Sequence, residues 1–288
     1  MHRVQHQPST WGRPAPRLAP RPENLTSQAA LFDVEASLTY DFAAPSEVLL
    51  SVEAAHGPDQ HVVAEALTFW PPVEATRIDH AASRERRTVF TAANRVNALY
   101  RARVEVPVRD HDVSNAPAVA IRDLPSDVLP FLRASRYSPS DRLETFSRSQ
   151  FGDLAGGRRV LAILDWIARH IEYRHGVSHS ATTAVDTLID RAGVCRDFSH
   201  LMIALCRAGD IPARAVSAYA WGLDPPDLHA IAEVYLGGRW RLVDATGKAP
   251  IDGLIRVATG RDAADIAFMT IFGTAQLVEQ SFKIEKAV

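Results

Sequence analysis

The sequence predicts an α+β protein: a β-sandwich-like N-terminal domain, then a second domain in which helices precede a mainly antiparallel sheet. Three observations carry this. Apolar residues recur with period two as far as about residue 107. They recur at helical spacing between Arg158 and Cys206. Beyond Pro212 the period returns to two.

The opening segment, residues 1–28, is rich in Pro, Arg and Gln and has no apolar core of the kind a secretory signal needs. It is expected to be a disordered tail. From Phe32 to Phe42 the alternation is clean. Phe32, Val34, Ala36, Leu38, Tyr40 and Phe42 fall on one face, and Asp33, Glu35, Ser37, Thr39 and Asp41 on the other. That is a strand with one buried side. Val48, Leu50 and Val52 continue it, and Gly57-Pro58 marks a turn. Residues 61–70, 86–92 and 97–107 read as further strands. The expected division is therefore a tail over 1–28, a β-rich domain over 29–112 and a second domain over 113–288.

In that second domain, Leu124 to Tyr137 is expected to be helical, and Ser140-Asp141 to cap a further helix. Val160, Ile163, Leu164, Ile167 and Ile171 form one face of a buried helix. Thr183 and Asp186 have the spacing of a capping box. Phe198, Leu201, Met202, Leu205 and Cys206 form the apolar face of a helix beginning near Cys195. Strands follow over 213–219, 229–236 and 239–244, with Gly237-Gly238 as a tight turn.

Composition narrows the function classes. The 288 residues are 47% hydrophobic and 23% charged, with a formal net charge of -2. No bulk field recommends nucleic acid as a partner. No stretch approaches the roughly 18 apolar residues of a membrane span, so a soluble cytoplasmic protein without a membrane partner is expected. Two cysteines make neither a disulfide framework nor a cysteine-based zinc site. No His-x-x-x-His pair lies in a convincing helix with an acidic neighbour, so no metal and no cofactor are expected.

The two cysteines have different surroundings. On one helix Cys195 and Cys206 would stand about 16 Å apart, beyond the reach of a disulfide. Cys206 lies on the apolar stripe and reads as a core residue. Cys195 follows Gly193-Val194 at a helix start, where unpaired N–H groups carry partial positive charge. That setting favours thiolate and can hold an oxyanion, although a structural cysteine also fits there. The hairpin adds the partners. If Gly237-Gly238 is a two-residue turn, Leu236 faces Arg239 and Ile231 faces Asp244. His229 then shares the face of Ile231, diagonal to Asp244 and within side-chain reach. A carboxylate there would fix the imidazole tautomer and leave the other nitrogen for a thiol. Asp197, in the first helical turn, suits the helix dipole and reads as structural.

These residues resemble the transglutaminase-like superfamily, in particular its bacterial branch of cysteine-protease-like proteins. Ala192-Gly193-Val194-Cys195-Arg196-Asp197-Phe198-Ser199-His200 is similar to the nucleophile motif. Ile211-Pro212-Ala213-Arg214 is similar to the strand after the catalytic helix, Asp227-Leu228-His229-Ala230 to the histidine motif, and Arg239-Trp240-Arg241-Leu242-Val243-Asp244 to the aspartate strand. Ser135-Arg136-Tyr137 and Gly260-Arg261-Asp262-Ala263 resemble recurrent segments of the branch. Ile231, Ala218 and Ala245 differ from its common pattern. The resemblance implies a papain-like α+β core with Cys195, His229 and Asp244 as a catalytic triad. It also implies acyl transfer through a thioester on a peptide or protein amide. Water as acceptor would make a protease or amidase, an amine a transglutaminase. Hydrolysis is favoured because nothing marks a dedicated lysine site. Tyr219, Trp221 and Trp240 are candidate substrate-binding walls, and the 220–228 loop could border the cleft. The alternative is a non-catalytic binding or scaffolding protein of the same fold. Oligomeric state is left open.

Overall fold

The structure, a computed structural model, describes residues 29–80 and 85–287; the tail expected over 1–28 lies outside the described residues. The chain opens with four strands, β1 (Ala30–Leu50), β2 (His61–Trp70), β3 (Ala75–His80) and β4 (Glu85–Val106). Helices α1 (Glu144–Phe151) and α2 (Gly156–His170) follow. Then come β5 (Glu172–Tyr173), α3 (Ala184–Asp190), β6 (Ala192–Gly193) and α4 (Cys195–Arg207). Strands β7 (Ala213–Ala220), β8 (Leu228–Leu236), β9 (Arg239–Val243) and β10 (Leu254–Gly260) come next. The short helix α5 (Ala263–Ile266) leads to β11 (Met269–Phe272) and β12 (Ala275–Lys286).

The period-two segment forms β1 as expected. Phe32, Val34, Ala36 and Leu38 are buried. On the opposite face the register brings Asp33 against Arg103 and Glu35 against Arg101, and each pair forms an ion pair. One cross-strand register thus satisfies core burial on one side and charge complementarity on the other.

Two expectations change here. The hydrogen bonding joins the strands of the N-terminal part into one six-stranded antiparallel sheet. The segments expected at 86–92 and 97–107 are one long strand, β4, whose first part pairs with β3 and whose later part pairs with β2. The β1–β4 register shifts between Phe42 and Ser46. Strand β1 likewise pairs with β12 over Phe32–Phe42 and with β11 over Glu47–Leu50. Residues 269–286, grouped by the sequence with the second domain, therefore complete the N-terminal sheet. Most of β12 is exposed, and only Phe282 and Ile284 alternate inward, opposite Ala36 and Val34, too short a run to mark a strand of twelve residues.

The second part has the expected order, helices and then a sheet, with strands in the order β10-β7-β8-β9. Helix α4 packs on it, its residues from Asp197 to Arg207 buried. Ile163 and Ile167 of α2 and Leu201, Met202 and Leu205 of α4 are fully buried, each contributing about 1.5–3 kcal/mol of hydrophobic stabilisation. Cys206 is buried among them, and burial pushes its thiol up to about 12. The expected helix over Leu124–Tyr137 is not formed. One 3₁₀ turn, Leu129–Leu132, stands there instead, and another, Ile121–Asp123, just precedes it. Pro125 and Pro130 remove donors and disfavour helical backbone before them, and Arg207 binds the Arg133 carbonyl and the Ser135 hydroxyl. A third 3₁₀ turn, Ser140–Leu143, leads into α1.

The two parts share a polar seam as well as an apolar core. Gln60 donates to the Arg256 carbonyl at 2.8 Å. Arg256 pairs with Asp59 at 2.8 Å and with Glu233 at 2.5 Å. Tyr219 donates to the Val52 carbonyl at 2.6 Å.

Candidate active site

Three local devices place Cys195. Strands β5 and β6 pair in parallel, setting Tyr173 opposite Gly193. Gly193 then approaches Asp197 so closely that an added Cβ would lie 2.7 Å from the Asp197 Cβ. Asp197, wholly buried, accepts the Val194 N–H at 2.9 Å and fixes the start of α4. Its role is the structural one read from the sequence, a carboxylate on the first turn of a helix. Arg196 reaches back to Asp197 at 3.1 Å and to the His179 carbonyl at 2.8 Å. Cys195 is free and half-buried.

The β8–β9 hairpin places the other two residues. Leu236 pairs with Arg239 across Gly237-Gly238, and Ala232 pairs with Val243, which is the register counted from the turn. Both turn glycines have positive φ, 60° and 81°, as a two-residue hairpin turn requires. His229 Nε2 lies 3.1 Å from Asp244 Oδ2, and both side chains are buried, 1% and 4% exposed. The other ring nitrogen, Nδ1, is buried without a hydrogen-bond partner. Burial opposes the imidazolium, but the bond to Asp244 and the nearby Cys195 side chain outweigh it and raise His229 to about 9. Asp244 is held below the ordinary carboxylate range despite its burial, by His229 and by Thr246.

Thr246 was not singled out in the sequence, although Asp244-Ala245-Thr246-Gly247 has the composition of a polar turn. Its backbone N–H and hydroxyl both donate to Asp244 Oδ1, at 2.9 and 2.7 Å. Ala249 N–H donates to Oδ2 at 3.2 Å. Both carboxylate oxygens are thereby held, and the ring is oriented by a fixed anion. Tyr173 was also missed. Its ring packs against Phe198 at 5.7 Å and His175 at 5.4 Å, and the Lys248 ammonium lies 4.3 Å above it. Burial, then the Cys195 side chain, pushes the phenol up to about 12.

The three aromatic residues expected to wall the cleft make their ring contacts with other groups. Tyr219 is fully buried at the seam and stacks on Tyr100 at 6.3 Å. Trp221 packs against Phe32 at 6.1 Å and under Lys286. Trp240 packs between Phe131 and Tyr235, with Arg214 4.2 Å over its ring. Each of these rings has apolar or cationic packing partners, a competition that strand period does not reveal. Among the described residues no group of three or more His, Cys, Asp or Glu side chains could hold a metal ion. No helix among them is long and apolar enough to cross a membrane.

A helix-start cysteine beside an imidazole held by a carboxylate, on an α+β core, defines the class, and the chain belongs to the transglutaminase-like superfamily. Residues 145–245 match the core model of that superfamily. The chain is similar to the crystal structure of a candidate cysteine protease from Cytophaga hutchinsonii, with 38% identity and a TM-score of 0.85. That match covers 90% of this chain and 91% of that one. It is 31% identical over 122 residues to an uncharacterized protein of Mycobacterium leprae, covering 38% of this chain and 42% of that protein. It is 36% identical over 110 residues to an uncharacterized protein of Mycobacterium tuberculosis, covering 33% and 35%. The matches thus span less than half the length of these mycobacterial relatives.

Proposed function

We infer that the protein is a cysteine-nucleophile acyl-transfer enzyme that acts on amide or peptide bonds through a thioester, with hydrolysis ahead of transamidation. The observation that carries the reading is the state of His229. One nitrogen is tied to Asp244, the other is buried and unpartnered, and Cys195 is close enough to raise the ring's proton affinity.

In this mechanism the Cys195 thiol gives its proton to Nδ1, and the imidazolium is held by Asp244. The sulfur forms a bond to the carbonyl carbon, and the π pair moves onto oxygen. Backbone N–H groups at the start of α4, that of Cys195 included, receive that charge. The C–N bond breaks as Nδ1 returns its proton to the leaving amine, which leaves a thioester. Water then attacks the thioester with His229 as base and releases the acid and the thiol. Similarity to the Cytophaga candidate protease favours water as the acceptor.

Labelled iodoacetamide tests the reading. Cys195 is expected to label faster than a free peptide thiol, and His229→Gln to abolish the advantage. Labelling at the free-thiol rate in the wild type would identify the protein as a binding or scaffolding member of its fold. Comparison of wild type with Cys195→Ala by proteomic substrate profiling would then identify the amide cleaved.

A further inference from the structure

The triad uses His229 and Asp244 fully and leaves one polar group at the nucleophile without a role. Tyr173 is carried to Cys195 by the short β5–β6 pairing, in which its Cα is opposite Gly193. Two backbone bonds hold that strand in place: Glu172 N–H to the Arg191 carbonyl at 2.8 Å, and Arg174 N–H to the Gly193 carbonyl at 2.9 Å. Phe198, on the first turn of α4, supports the ring. That placement makes the phenol a near neighbour of the Cys195 side chain and backbone N–H. Those two groups bracket the place where a carbonyl oxygen must come to rest when the sulfur bonds to its carbon.

The helix start itself has few donors to spare. The N–H groups of Asp197 and Phe198 both go to the Val194 carbonyl, at 2.9 and 3.0 Å, which leaves those of Cys195 and Arg196 nearest the sulfur. An oxyanion held by one or two amides gains from a further donor that needs no reorganisation. Lys248 adds positive charge on the same side, 4.3 Å above the Tyr173 ring. A tyrosine kept there only for packing would be served by phenylalanine.

We propose that Tyr173 is a catalytic residue, whose phenol O–H and the Cys195 N–H together receive the oxyanion formed when the Cys195 sulfur attacks a carbonyl. This rests on Cys195 acting as the nucleophile. The sulfur–carbon bond forms, the carbonyl π pair moves to oxygen, and both donors shorten onto that oxygen. When the intermediate collapses, the pair returns and the C–N or C–O bond breaks. Tyr173 keeps its proton throughout, and the proton for the leaving group comes from His229. The phenol stays protonated at working pH because burial and the neighbouring sulfur push it up to about 12.

Two reactions of the same sulfur separate this role from packing. Acylation by p-nitrophenyl acetate passes through an oxyanion, whereas alkylation by iodoacetamide is a displacement at saturated carbon and forms none. Tyr173→Phe keeps the ring against Phe198 and under Lys248. It is expected to slow acylation of the full chain by about 10²–10³-fold and to change alkylation by less than about threefold. Lys248→Met, an exposed change with little risk to folding, is expected to slow acylation by about threefold at low salt and less at high salt. Equal slowing of both reactions by Tyr173→Phe would overturn the proposal, because the phenol would then act on the sulfur. No slowing of either would reduce Tyr173 to packing and overturn it as well. A wild type acylated no faster than a free peptide thiol would instead remove the nucleophile, and Tyr173's role with it.

Discussion

Replacing Asp244 by Asn keeps the shape of the side chain and removes the anion that steadies His229. An unperturbed imidazole titrates near 6.5 and His229 near 9, a difference equal to about 3 kcal/mol of net imidazolium stabilisation. Burial opposes that net value and the Asp244 bond is its leading favourable cause, so its loss should return His229 to 6.5 or below. The new amide also meets donors on both sides, Thr246 N–H at Oδ1 and Ala249 N–H at Oδ2. Whichever way it turns, its NH₂ group faces an N–H, at a cost of about 1–3 kcal/mol. At pH 7 the rate of Cys195 alkylation by iodoacetamide is expected to fall by about 10²-fold, since about 3 kcal/mol corresponds to that factor. The pH dependence of stability should change as well. A folded value above the unfolded one stabilises fully below about pH 6.5, and that contribution is lost as pH rises through about 9. Asp244, held below its ordinary range, keeps its contribution until pH falls through its depressed folded value. Urea midpoints of wild type and Asp244→Asn should therefore differ most near pH 5–6 and converge above about pH 9. Unchanged alkylation together with parallel stability profiles would refute the assignment of Asp244 as the orienter of His229.

Native protein should incorporate one iodoacetamide label, at Cys195, and a second only in denaturant, because Cys206 is buried and its thiol is pushed up to about 12; peptide mapping reads this directly. Gly193→Ala places a Cβ 2.7 Å from that of Asp197, so it should displace the carboxylate from Val194 N–H. That should cost about 1 kcal/mol and slow Cys195 alkylation, as measured by denaturation and labelling in parallel. Arg256→Met strips Asp59 of its 2.8 Å partner and leaves buried Glu233 with Arg214 alone. A loss of about 3–5 kcal/mol in urea unfolding is expected.

The parts of the fold that could be read from the sequence are those in which one local period decides the outcome. The strand through Phe32–Phe42 and the helix faces of Ile163–Ile167 and Leu201–Cys206 needed only a buried side and a solvated one. The His229–Asp244 bond could be anticipated because a two-residue turn fixes register, and Gly237-Gly238 supplies such a turn. Residues for which tertiary partners decide were not legible. Strand β12 is mostly exposed and is held by backbone pairing with β1. The stretch from Ile121 to Leu143 is folded around Arg207, which lies far along the chain. Tyr173 is set opposite Gly193 by a strand of two residues, too short to show any period. Trp240 packs under Arg214 and against Tyr235, a choice settled between elements rather than within one.

The return of the last strand to the first has a consequence for how this chain can be recombined. Strand β1 is bordered by β4 on one edge and by β11 and β12 on the other, so residues 107–268 form an insert between two segments that meet across a single ladder. A chimera joined near residue 112 would carry a core torn from half of its own scaffold. An exchange that respects the ladder must move 29–106 and 269–287 as a pair, or move the insert alone.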